Sequence, residues 1–180
     1  AVGSGAGNDI LRLVAANALT VSVSAIQSVL GSSGTDVVAL VGASDVSVSN
    51  VETVIGSAST DVLSLLGAAS LAVSALETVV GSTLSTDVLR LLGATNMNVT
   101  AVETVIGGAA TESITLLGGT ALSVSGVDTV IGSGAAENLT LLGADNIAVS
   151  AIDTVTGSAG TDTITLLTVE TVAIRNVETV

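Results

Sequence analysis

Val51-Glu52-Thr53-Val54-Ile55-Gly56 decides how this chain is read, because the segment returns about every 25 residues. Its copies are Leu76-Glu77-Thr78-Val79-Val80-Gly81, Val102-Glu103-Thr104-Val105-Ile106-Gly107, Val127-Asp128-Thr129-Val130-Ile131-Gly132 and Ile152-Asp153-Thr154-Val155-Thr156-Gly157. A shortened copy, Val177-Glu178-Thr179-Val180, closes the chain. The anchoring glycines at 31, 56, 81, 107, 132 and 157 are 25, 25, 26, 25 and 25 residues apart, with an inserted residue near Leu84 accounting for the 26. A fixed internal period of this length is the mark of a repeat architecture, in which stacked units share one continuous core.

Working outward from that segment, each glycine is followed by a small polar run and then an acid: Asp36, Asp61, Asp87, Glu112, Glu137 and Asp162, with Asp9 in an earlier, longer copy. Each acid opens an alternating stretch such as Asp61-Val62-Leu63-Ser64-Leu65, in which Leu63 and Leu65 share one side, as the strand period of two requires. A second alternating run follows, for example Leu71-Ala72-Val73-Ser74, and the Glu-Thr-Val segment is the third. No stretch carries a sustained 3.6-residue period. The expected fold is therefore all-β: a parallel β-solenoid, β-helix or β-roll-like, of about seven coils of about 25 residues, each strand pairing with its own copies above and below. At about 4.8 Å per coil such a rod would be roughly 30–35 Å long.

Composition agrees. The 180 residues include no aromatic residue, Pro, Cys, His or Lys, and the apolar 48% is mostly Val, Leu, Ile and Ala, which suits short strands and a narrow core. That apolar content argues against disorder in spite of a net charge of −13. The acidic balance disfavours nucleic acid and anionic membrane surfaces, and no apolar run is long enough for a spanning helix. Residues 1–180 read as one repeat domain. It starts just before a repeat corner, stops midway through a repeat and shows no polar cap, so the expectation is a piece of a longer solenoid or a subunit that stacks.

Gly157-Ser158-Ala159-Gly160-Thr161-Asp162-Thr163-Ile164-Thr165 and Gly31-Ser32-Ser33-Gly34-Thr35-Asp36-Val37-Val38-Ala39 fit the nonapeptide G-G-x-G-x-D-x-U-x at all but the second glycine. Ser4-Gly5-Ala6-Gly7-Asn8-Asp9-Ile10-Leu11-Arg12 misses only the first. The chain thus resembles the hemolysin-type, or RTX, calcium-binding repeats of exported bacterial proteins. The Val-Glu-Thr-Val leader resembles one common before such repeats in large adhesins and surface-layer proteins. The resemblance implies calcium, Ca²⁺, held at the turns, with Asp9, Asp36, Asp61, Asp87 and Asp162 as metal-ligand candidates. It also implies an extracellular or cell-surface location and folding coupled to export. The family's rolls place two nonapeptides in a coil of about 18 residues, whereas here one such turn occurs per 25. The copy Gly56-Ser57-Ala58-Ser59-Thr60-Asp61 lacks the middle glycine, and the copies at Glu112 and Glu137 replace the Asp as well.

Thirteen of the sixteen acids fall into two columns, one running from Asp9 to Asp162, the other from Glu52 to Glu178, with Gln27 in line with the second. Stacked coil on coil, neighbours in a column would repel by about 0.9 kcal/mol in water and several-fold more at a protein surface. Cations between coils, protonation, or capping of turn N–H groups would each relieve this. Threonines at 53, 78, 104, 129, 154 and 179 form a hydroxyl ladder. The column Leu66, Leu92, Leu117, Leu142, Leu167 either fills a corner or forms an outward stripe able to join rods.

Enzyme chemistry is not expected: there is no His, Lys, Tyr or Cys to act as base or nucleophile, and the acids recur instead of converging on one site. The reading is a structural repeat region of a bacterial surface protein: adhesin stalk, surface layer or filament, stiffened by calcium between coils. A calcium-independent self-assembling solenoid is the alternative, and an ice-binding solenoid using the hydroxyl ladders is a third. Self-association end to end or laterally is expected, without nucleic acid or membrane insertion.

Overall fold

A computed structural model describes residues 1–5, 7–14, 16–83 and 85–180, so the insertion placed near Leu84 lies partly outside the described residues. Every regular element is a strand. The acid-led stretches form β1 (Ile10–Arg12), β4 (Asp36–Leu40), β7 (Asp61–Leu65), β10 (Val88–Leu91), β13 (Glu112–Leu116), β16 (Asn138–Leu141) and β19 (Thr163–Leu166). The second runs form β2 (Leu19–Val23), β5 (Ser44–Ser49), β8 (Ser70–Ser74), β11 (Thr95–Thr100), β14 (Ala121–Ser125), β17 (Asn146–Ser150) and β20 (Ala173–Arg175). The Glu-Thr-Val segments form β3 (Ser28–Leu30), β6 (Thr53–Ile55), β9 (Thr78–Val80), β12 (Thr104–Ile106), β15 (Thr129–Ile131) and β18 (Thr154–Thr156).

All pairings are parallel, and the chain is a β-solenoid as expected, but its coil is not the sequence repeat. Odd-numbered strands make one ten-stranded sheet and even-numbered strands the other. A coil therefore takes two strands where a repeat supplies three, so it holds about 17 residues, two-thirds of 25, and the described chain winds about ten coils instead of seven. Nor does a strand pair with its own copies. β4 lies between β2 and β6, one neighbour from each of the other two strand kinds. Ten coils give a rod of roughly 45 Å.

The reason lies in the core. All three strand kinds present the same inward face, as in Val38, Val54 and Val73, which lie within 2% of full burial. Any of them can stack on any other. Two facing sheets about 10 Å apart can be filled by Val, Leu and Ile from both sides. A three-sided coil would enclose a wider lumen, and this chain has no aromatic side chain to fill one.

Because one repeat spans one and a half coils, equivalent residues of successive repeats fall on opposite sheets. The threonine ladder divides: Thr53, Thr104 and Thr154 lie on even strands, Thr78 and Thr129 on odd ones. The leucine column also divides. Leu66, Leu92, Leu117, Leu142 and Leu167 all face outward and are about half exposed. Leu66, Leu117 and Leu167 follow odd strands, Leu92 and Leu142 even ones. Leucines on one side are then three coils, about 14 Å, apart, so the outward leucines form separated points and not a continuous stripe.

The glycine anchors are explained by a close approach. A Cβ on Gly81 would sit 1.8 Å from the Ala101 carbonyl oxygen of the next coil. The Gly81 N–H instead donates to the Thr100 carbonyl at 2.8 Å. Ala101 is left-handed, with φ 51°, and so are Ala25, Asn50, Ala75, Gly126, Ala151 and Asn176 at the same place in the other repeats. This αL corner before each Glu-Thr-Val segment costs an alanine about 1–2 kcal/mol. Gly126, Asn50 and Asn176 are residue types that favour this conformation, whereas the alanines give no sign of it in the sequence.

Candidate functional site

The acid columns meet at the corners, but each meets the other column and not itself. Pairing of Val37 with Thr53 sets Asp36 beside Glu52 on the next coil. The same step joins Asp61 to Glu77, Asp87 to Glu103, Glu112 to Asp128, Glu137 to Asp153 and Asp162 to Glu178, with Asp9 beside Gln27. The expected stack of like positions one coil apart is thus replaced by mixed pairs. Successive pairs lie on opposite sheets for the reason that divides the threonines.

Each pair caps in sequence, the first acid closing its own turn and the second acid capping the first. The first acid accepts a hydrogen bond from the N–H that follows its glycine: Ser32 to Asp36 at 2.6 Å, Ser57 to Asp61 at 2.6 Å, Ser82 to Asp87 at 2.6 Å, Ser158 to Asp162 at 2.6 Å and Ser4 to Asp9 at 2.7 Å. The Ser133 N–H and hydroxyl serve Glu137 in the same way, and the Gly108 N–H reaches Glu112 at 3.2 Å. The second acid then caps the backbone N–H of the first. Glu52 accepts from the Asp36 N–H at 2.7 Å, and Asp128 from the Glu112 N–H at 2.9 Å. Hydrogen bonds to an ionised group contribute about 1.5–3 kcal/mol each, so the caps close the turns and hold successive coils together.

Side-chain length is balanced within each pair. Where the first acid is Asp, at 36, 61, 87 and 162, the second is Glu; where it is Glu, at 112 and 137, the second is Asp. Glu112 and Glu137 are therefore not degraded copies of an Asp turn. They fill the same corner from the other direction.

The first acids are enclosed. Asp36, Asp61, Asp87, Glu112 and Asp162 have no exposed surface, and Asp9 at the rod's end is half-buried. Their second oxygens differ. Asp87 Oδ1 accepts from the Ala69 N–H at 2.9 Å and Asp162 Oδ1 from the Asp145 N–H at 3.0 Å. Asp36 Oδ1, Asp61 Oδ1, Glu112 Oε2 and Glu137 Oε2 are buried without a partner, at a cost of about 1–3 kcal/mol each. Glu112 titrates above the ordinary glutamate range. Burial is the main cause; the Asp128 charge and a side-chain hydrogen bond with Asp128 push the same way, against the lowering effect of the Gly108 N–H. The three arginines, Arg12, Arg90 and Arg175, are exposed on outer faces.

The five aspartates picked from the sequence as metal-ligand candidates are thus all corner residues, spread along the rod and not gathered together. Each meets one acid or amide side chain of the following coil, and Asp162 also lies beside Asp145 of the preceding one. Among the described residues no group of three or more acids is arranged to hold a metal ion. Calcium takes six to eight oxygens, so a bound ion would have to recruit turn carbonyls and water around a single carboxylate pair. Sequence reading missed Asp145, which lies off both columns. It is 7% exposed, accepts from the Gly126 N–H at 2.7 Å and stacks beside Asp162. Its signal was an acid where other repeats carry Ser44, Ala69, Thr95 and Thr120, repeated once at Glu170, which accepts from the Ala151 N–H in the same way.

A groove of about 250 Å³ on the even-strand face brings Glu52 and Arg90 over Ser70 and Ala72. It is smaller than usual small-molecule sites. No protein-family model matches the chain, and no curated protein or solved structure matches it.

Proposed function

We propose that the chain is a structural rod: a repeat region of a bacterial surface protein, serving as adhesin stalk, surface layer or filament. The observation that carries this reading is repetition without convergence. The same two-strand layer recurs about ten times, and its polar groups are spent on closing each layer against the next. A coil of about 17 residues also lies near the 18 expected of RTX-type rolls. That is the support for an exported origin.

Two versions differ in what neutralises the corners. In the first, backbone caps suffice and the rod is independent of calcium. In the second, Ca²⁺ joins the pairs at Asp36–Glu52 and Asp61–Glu77, where a buried oxygen has no partner, and Asp9, Asp87 and Asp162 bind more weakly. Sheet edges and spaced leucines give such rods a route to self-association, end to end or laterally. The test is a thermal melt followed by far-ultraviolet circular dichroism, in EDTA and in millimolar Ca²⁺ or Mg²⁺. An unchanged β signal and midpoint in EDTA supports the calcium-independent rod. A large stabilisation by Ca²⁺ alone supports the second version. Thermal hysteresis in the same samples would instead favour ice binding, and a chain that stays unfolded under every condition would overturn the rod.

A further inference from the structure

We infer that Glu112 is carried as a neutral acid whose proton is donated to the Asp128 carboxylate, so that the middle coils of the rod are clasped in mildly acidic solution and loosen as the pH rises.

Glu137 and Asp153 share this geometry, but Glu137 Oε1 accepts from both the N–H and the hydroxyl of Ser133, whereas Glu112 has only the Gly108 N–H at 3.2 Å. Pairing of Ser113 with Thr129 sets Glu112 and Asp128 opposite each other on adjacent coils. Glu112 is fully buried, Asp128 is exposed at the corner, and Glu112 Oε2 has neither water-facing surface nor hydrogen-bond partner. A carboxylate in that position leaves one oxygen unsatisfied beside a second negative charge, which is the arrangement that favours a retained proton. A protonated Glu112 gains an O–H donor, and the acceptor within reach is Asp128. The other neighbours offer no competing charge. The turn 107–111 carries no titratable side chain, and β11 brings Thr95 opposite Glu112.

The sign of the linkage follows. The folded chain holds this proton more tightly than the unfolded chain, in accord with the raised Glu112 value. The added stability is complete below the ordinary glutamate range and is lost as pH climbs through the raised value. This is the reverse of the usual acid denaturation of a carboxylate-rich protein.

Carboxyl-carbon NMR titration of the full chain tests the proton directly. The Glu112 side-chain carbon is expected to titrate above the other glutamates, with Asp128 sensing the same step. In Asp128→Asn the Glu112 midpoint should fall, while staying above the ordinary range because burial is the larger cause. Glu112→Gln supplies a permanent donor, so its urea-unfolding constant should change less between pH 4 and 8. The wild-type constant should change by about tenfold more for each pH unit separating the two Glu112 values. An ordinary Glu112 midpoint, or a Glu112→Gln protein with the wild-type pH dependence, would overturn the inference. If Glu112→Gln does not fold, the wild-type titration decides alone.

Discussion

Glu112 lies beside Asp128 of the following coil, whose carboxylate caps the Glu112 backbone N–H at 2.9 Å. At Asp36 and Glu52 the same two roles are filled by side chains of exchanged length, with the cap at 2.7 Å. A corner therefore specifies the combined length of its two acids more strongly than either identity. Shortening one side alone, as in Glu112→Asp, should weaken the bond from Gly108 and cost about 1–2 kcal/mol. Adding Asp128→Glu should recover most of that loss. A double-mutant cycle by urea unfolding checks this, and additive single effects would contradict it.

Asp36 and Asp87 occupy equivalent corners but should respond differently to amidation. Both Asp87 oxygens accept backbone N–H groups, from Ala69 and Ser82. An asparagine there must turn an NH₂ toward an N–H donor, and Asp87→Asn is expected to cost about 2 kcal/mol. Asp36 has one oxygen without a partner, so Asp36→Asn can keep the Ser32 bond and remove a charge beside Glu52. It should be neutral or stabilising. Equal losses in the two variants, measured by denaturant midpoint at pH 7, would show that the second oxygen is irrelevant.

Gly81→Ala tests the close approach of coils. The new methyl would lie 1.8 Å from the Ala101 carbonyl oxygen and 2.9 Å from Asp87 Oδ2. Both are held in place, one by the backbone and one by its caps. A loss of at least about 3 kcal/mol is expected, read as a fall in thermal midpoint. Ser74→Ala, on the outer face, should serve as a near-neutral control.

Deleting one whole repeat should be tolerated. Removal of residues 52–76 takes out three strands and leaves Asp36 facing Glu77, still an Asp–Glu pair. The rod should shorten by one and a half coils, about 7 Å, and every later strand should change sheets. Ser22 and Arg90 lie on even strands of one sheet. Spin labels at Cys substituted for them, in a chain with no other Cys, should move from one face to opposite faces. Labels that stay on one face after the deletion would contradict the one-and-a-half-coil period.

The exposed leucines should matter little to the single rod. Leu117 is 53% exposed, and Leu117→Ser is expected to change folding stability by no more than about 0.5 kcal/mol. Light scattering at high concentration would reveal whether it changes association between rods.

Much of this molecule was set by the sequence alone. Alternation in Asp61-Val62-Leu63-Ser64-Leu65 fixed which residues face the core, and the recurring Gly81 and its equivalents marked the corners. The lack of aromatic residues limited the core to a thin one. Local pattern could not say how many strands close a coil. Parallel ladders are made by backbone groups, which are blind to side-chain identity, and Val38, Val54 and Val73 are equally good inward residues on three different strand kinds. That choice was made only where two sheets meet, by the spacing that Val, Leu and Ile can fill. It then decided everything non-local: that Asp36 rests on Glu52 and not on Asp61, that the threonine and leucine columns divide between faces, and that Glu112 finds Asp128 sixteen residues onward.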